Sequence, residues 1–133
     1  MNQYDYVFDT SAVLAIVLAE SDRGVAVDVL RRARDDGAGL AIPFIAIMES
    51  EYQVIRKLSD ADASRFLSVV GEWPAKVFHS SADWSHQAAE IKARGGLSLA
   101  DAWVASLALR LEAELVHKGD KFDAVPGLRG LRL

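Results

Sequence analysis

The feature that most constrains this chain is an alternation of two length scales. Apolar runs of three to five residues, at 4–8, 40–42, 76–79 and 114–117, are separated by longer segments in which apolar side chains recur every three or four positions. The short runs read as buried strands. The spacing predicts helices over 10–18, 24–34, 44–57, 60–72, 83–94 and 99–112. In the second of these Val25, Val29, Leu30 and Ala33 share one face, while Arg31, Arg32 and Arg34 take the other, solvated one. Strands joined through helices cannot close as hairpins. They pair in parallel and need helices on both faces of the sheet. The expectation is therefore an α/β fold with a mostly parallel central sheet, formed as a single domain over 1–133, with a further strand in the tail at 128–133. Local signals agree: Asp60, Asp83 and Ser98 read as N-caps, Pro43 as a helix starter, and Gly95-Gly96 as a stop.

Composition removes several function classes. The chain has no cysteine, which excludes a disulfide framework and thiolate metal sites. The start MNQYDYVFDTS lacks the basic and apolar regions of a signal peptide, and no apolar run is long enough to span a bilayer. A cytoplasmic protein with no membrane association is expected. The formal net charge of −4 argues against a protein that simply coats nucleic acid. A nuclease whose negative charge is concentrated at a metal site is compatible with it.

In parallel α/β folds the site lies beyond the carboxyl ends of the strands. Asp9 follows the first strand, Glu49 lies in the helix after the second, Asp101 opens the helix that begins after Ser98, and Asp120 follows the fourth strand. Four carboxylates aimed at one cleft repel one another. A hard divalent cation, Mg²⁺ or Mn²⁺, relieves that repulsion and activates water against a phosphate. Each acid also has an ordinary use. Asp9 can cap the helix beginning at Thr10, Asp101 can partner Ser98 in a capping box, Glu49 can be a solvated helix residue and Asp120 a turn residue. Spacing alone does not choose between these uses.

Four segments taken together resemble the blocks of VapC-type PIN-domain toxins, in order: FDTSAVLAI (8–16), IMESEYQVIRK (47–57), LSLADAWVASLAL (97–109) and LVHKGDKFDAV (115–125). The resemblance covers nearly the whole chain. Its strand–Asp-Thr-Ser opening and its Leu-Ser-x-Ala-Asp-Ala block are specific in combination. It implies a PIN-like three-layer domain and an Mg²⁺- or Mn²⁺-dependent endoribonuclease cutting single-stranded RNA. It also implies a cognate antitoxin that inhibits the enzyme, and a homodimer. By position Asp9, Glu49 and Asp101 fall on the family's acids, with Asp9 and Asp101 as main metal ligands and Glu49 orienting the attacking water or a second ion. Glu49 is preferred to Glu51 because Arg56 follows it by seven residues, as the family's arginine usually does. Ser11 falls on a hydroxyl that assists the metal or its water, ahead of Thr10. The fourth block departs from the pattern: its acid is expected at Gly119, and this chain has Asp120 one residue later. Either Asp120 is brought in by a shifted loop, or Asp123 or water stands in.

Arg23, Arg56, Arg94, Lys118 and Lys121 lie near the expected strand ends and are the candidates for RNA phosphate contacts. His79, His86 and His117 share no metal-ligand spacing, and Trp103, two positions beyond Asp101, is expected to pack rather than to stack on bases. The helices over 44–58 and 60–70 carry more apolar surface than a core needs, which leaves some for a second copy or an antitoxin helix. Two rivals remain. A haloacid-dehalogenase-like phosphatase needs a second acid two positions after Asp9, where this chain has Ser11, and a later lysine motif in a longer chain. A catalytically decayed PIN-like module, binding RNA or protein, is favoured only by Gly119.

Overall fold

The computed structural model describes residues 3–133; Met1 and Asn2, the start of the expected 1–133 domain, lie outside them. In chain order the elements are β1 (Tyr6–Phe8), α1 (Thr10–Val17), α2 (Gly24–Asp35), β2 (Leu40–Pro43), α3 (Phe44–Lys57), α4 (Asp60–Gly71), β3 (Lys76–Phe78), α5 (Ala82–Ala93), α6 (Leu99–Leu111), β4 (Glu114–His117) and β5 (Gly130–Arg132). The sheet has the order β3-β2-β1-β4-β5 and every pairing is parallel. Tyr6 stands opposite Leu40 on one side and Glu114 on the other. The chain therefore builds from β1 outward to β3, returns to the centre, and builds outward again through β4. The switch point lies between β1 and β4, the place where open parallel sheets form their crevice.

Strand periodicity sorts the core into two layers. Tyr6, Phe8, Leu40, Ile42 and Val116 point to the side covered by α1, α2, α3 and α4. Val7, Ala41 and Leu115 point to the side covered by α5 and α6. The result is the expected three-layer α/β arrangement, with β1 buried on both faces. On the second face Trp84 seats α5 on α6: its indole N–H donates to Ser106 Oγ at 2.8 Å and to the Trp103 carbonyl at 3.1 Å. Trp103 itself meets Trp84 and Phe44 edge to face, so it packs, as its helical position implied.

Several boundaries differ from the sequence expectation. Ser59 caps α4 and Ser81 caps α5, rather than Asp60 and Asp83. The two aspartates lie in the first turns, where their charge meets the positive end of the helix dipole. Pro43 ends β2 and is the N-cap directly before Phe44, as expected for a helix over 44–57. No helix among the described residues is long and apolar enough to cross a membrane.

The start of β1 is fixed by Gly39, whose carbonyl accepts from both Asp5 N–H and Tyr6 N–H while its own N–H donates to Asp5 Oδ2. A Cβ at position 39 would stand 2.2 Å from the Gln3 carbonyl oxygen and 2.8 Å from Tyr4 Cα. Gly39→Ala is therefore expected to destabilise the protein by about 2–3 kcal/mol through overpacking against backbone. A lower urea midpoint with an unchanged m-value is the measurement that checks it.

Candidate active site

Asp9 leaves β1 at its carboxyl end and caps α1. Its backbone N–H donates to the Val116 carbonyl at 3.2 Å, which ties it to β4 across the switch point. The side chain is almost wholly enclosed, with the residue 2% exposed. Oδ1 accepts twice, from the Ser11 hydroxyl at 2.6 Å and from Ala12 N–H at 2.9 Å. Oδ2 is buried without a partner. Burial pushes the Asp9 carboxyl above the ordinary aspartate range, opposed by the bonds from Ser11 and Ala12 and by the nearby charges of Lys121 and His117.

The other two acids arrive from different elements. The Thr10 hydroxyl donates to Glu49 Oε1 at 2.7 Å, joining the first turn of α1 to α3. Both hydroxyls of the Asp-Thr-Ser segment are thus engaged: Thr10 holds Glu49, and Ser11 holds Asp9 while accepting the Lys118 backbone N–H at 3.1 Å. Ser98 caps α6 by accepting Asp101 N–H at 3.1 Å, as expected. The Asp101 carboxylate, its side chain only 16% exposed, pairs with Lys121 Nζ at 3.1 Å.

The loop after β4 carries the two remaining acidic candidates, Asp120 and Asp123. Asp120 is exposed, and among the described residues no hydrogen bond or ion pair joins it to Asp9, Glu49 or Asp101. Both oxygens of Asp123 accept from Arg132 at 2.7 Å. The cause is local. Gly119 adopts a φ of 79°, a left-handed conformation natural to glycine, and the chain that follows delivers Lys121 rather than an acid to Asp101. One further participant escaped the sequence reading. Asp22 holds Lys118 Nζ at 2.7 Å, and this bond is the main reason the Asp22 carboxyl is lowered and the Lys118 ammonium raised. The only signal for Asp22 was its place beside Glu20 in the loop after α1.

Of the remaining candidates, Arg23 donates to the carbonyls of Ala19 and Glu20. Arg56 in the last turn of α3 and Arg94 at the end of α5 are exposed. His117 is buried against Phe122 with Nδ1 unpartnered.

No group of three carboxylate or imidazole side chains among the described residues forms a ready-made metal cage. The donor chemistry nevertheless suits a hard cation: an orphaned oxygen on buried Asp9, a second acid at Asp101 balanced by an ammonium, and Glu49 held by Thr10.

The PIN domain profile matches residues 6–128, so the chain belongs to the PIN domain family. No curated protein sequence gives a significant match. Among solved structures, a chain of the VapBC2 complex of Rickettsia felis, bound to a promoter DNA fragment, is 20% identical. The match covers 96% of this chain and 97% of that one, with a TM-score of 0.78. A chain of DNA-bound VapBC from Salmonella typhimurium is 18% identical over 97% and 98% of the two chains, with a TM-score of 0.74. The Mycobacterium tuberculosis sarcin–ricin-loop-cleaving toxin VapC20 is 17% identical over 84% and 87%, with a TM-score of 0.66. At these identities the likeness is one of fold.

The raised Asp9 carboxyl makes a stability prediction. A buried carboxylate with a raised folded value burdens the fold wherever it is ionised, and that burden vanishes below the ordinary carboxylate range, where both states are protonated. Asp9→Asn is expected to raise the metal-free melting temperature by a few degrees at neutral pH. The gain shrinks as pH falls through the window from the raised value down to the ordinary one. Calorimetry in a chelator at several pH values measures it.

Proposed function

We propose that this chain is a divalent-metal-dependent endoribonuclease that cleaves single-stranded RNA and acts as the toxin of a toxin–antitoxin pair. The observation that carries the reading is Asp9, a carboxylate 2% exposed with one oxygen left without a partner at the switch point of a parallel sheet. A carboxylate kept in that state is stabilised when a cation binds it. Nucleases of the PIN family generally use divalent metal ions, which supports Mg²⁺ or Mn²⁺ held by Asp9 and Asp101, with Glu49 beside them. Bound there, such an ion neutralises the acids and polarises a phosphate oxygen.

The chain's own residues have separable parts in this reading. Ser11 fixes the rotamer of Asp9, and Thr10 fixes Glu49. Glu49 orients the water whose oxygen adds to phosphorus as a P–O bond to one nucleoside breaks. Arg56 and Arg94, with Arg23, Lys118 and Lys121, contact backbone phosphates on either side. The fold shared with chains of VapBC complexes supports a cognate antitoxin as partner and a cytoplasmic setting.

The test is cleavage of a mixed single-stranded RNA pool, with and without Mg²⁺ or Mn²⁺. Asp9→Asn and Asp101→Asn are each expected to lose about 100-fold or more of the metal-dependent rate. A second reading, a decayed module that binds without cutting, draws on the Lys121–Asp101 pair and the missing acid at Gly119. Folded wild type that neither binds Mn²⁺ nor cleaves any RNA establishes that alternative.

We also propose a homodimer through α3. Met48, Tyr52 and Ile55 recur on one face of that helix at 49%, 40% and 41% exposure. Ile55→Glu is expected to weaken dimerisation by about tenfold or more in Kd. Light scattering across a concentration series reads this, and a wild type that stays monomeric at every concentration removes the dimer.

A further inference from the structure

The cation now paired with the acidic cleft belongs to the chain itself. Lys121 Nζ stands 3.1 Å from Asp101 Oδ1, and the lysine is also close enough to Asp9 to act on its charge. Its position is built rather than incidental. Gly119 turns the chain, Phe122 is buried at 2% exposure and anchors the loop, and Lys121 lies between them with its ammonium 5.2 Å from the Phe122 ring centre. Asp101 is largely enclosed while the Lys121 side chain is 47% exposed, so the lysine is the partner free to leave.

From this arrangement we propose that Lys121 is an internal competitor for the divalent cation. In the metal-free protein its ammonium partly neutralises the cleft, and metal binds by exchange, displacing it from Asp101. The inference rests on the reading of Asp9 and Asp101 as cation ligands and adds a regulating residue to that site. An ammonium and a divalent ion cannot share one carboxylate oxygen at contact distance without strong repulsion, so the lysine sets a threshold concentration for metal. Lys118 provides the contrast. It carries the same charge in the same loop but is held on Asp22 at 2.7 Å rather than on Asp101.

The experiment is calorimetric titration of MnCl₂ into metal-free wild type, Lys121→Met, Lys121→Gln, Lys121→Arg and Lys118→Met at one ionic strength, with melting temperatures in chelator alongside. Both neutral variants at position 121 are expected to bind Mn²⁺ about tenfold more tightly than wild type. Lys121→Arg should stay close to wild type, and Lys118→Met should gain clearly less than Lys121→Met. Metal-free Lys121→Met should also melt below wild type, with the gap closing once Mn²⁺ is bound. Wild type that binds Mn²⁺ while Lys121→Met and Lys121→Gln bind it no better overturns the proposal and leaves the metal reading standing. An equal gain from Lys118→Met also overturns it, because general charge then explains the effect. Absence of Mn²⁺ binding in every protein overturns the metal reading itself, and the proposal with it.

Discussion

Burying a carboxylate at the end of a central parallel strand is unfavourable, and the surroundings of Asp9 reduce that cost without cancelling it. One oxygen is saturated by the Ser11 hydroxyl and the Ala12 N–H, and the positive end of α1 faces it. The other oxygen is sealed off from solvent and from donors. A purely structural cap gains nothing from such an arrangement, since a buried unpaired acceptor is a standing penalty. The asymmetry makes sense if the second oxygen is kept for a ligand that the folded chain alone does not supply.

The same residues serve the scaffold and the site, so the two uses that the sequence left open are not alternatives. Asp9 caps α1 and also presents its free oxygen. Ser98 caps α6 and thereby sets the first turn that carries Asp101. Thr10 begins α1 and also restrains Glu49. α6 owes its own position to the Trp84–Trp103–Ser106 contacts with α5. A packing change there displaces Asp101 without touching it, because dense interiors transmit small shifts.

How much of this was legible in the sequence follows from which forces act locally. The order of elements and the parallel sheet came from hydrophobic period and segment length, which the backbone obeys directly, whereas Asp9, Glu49 and Asp101 were singled out through the family resemblance. The caps at Ser59 and Ser81 were displaced onto neighbouring aspartates, because hydroxyls and carboxylates suit that position almost equally and only the backbone turn decides. The loop after β4 was harder. Whether Asp120 or Lys121 faces the cleft depends on one left-handed residue at Gly119, and no spacing rule carries that information. Asp22 was hidden for a similar reason: Ala19, with a φ of 51°, bends the loop after α1, and the partner Lys118 lies far away in sequence.

The distribution of cations explains how a chain of net charge −4 can meet a polyanion. Lys118 and Lys121 begin on Asp22 and Asp101, and Arg23 on backbone carbonyls. Arg56 and Arg94 are exposed, and on the proposed reading they are among the cations open to a phosphate backbone. Placing a divalent ion between the acids would change the balance, since it neutralises carboxylates and releases an ammonium in the same step. On the proposed reading, the acids at Asp9, Glu49 and Asp101 would then lose most of their net negative charge while the Lys121 ammonium becomes available. On that reading, substrate attraction and metal loading would be coupled through charge.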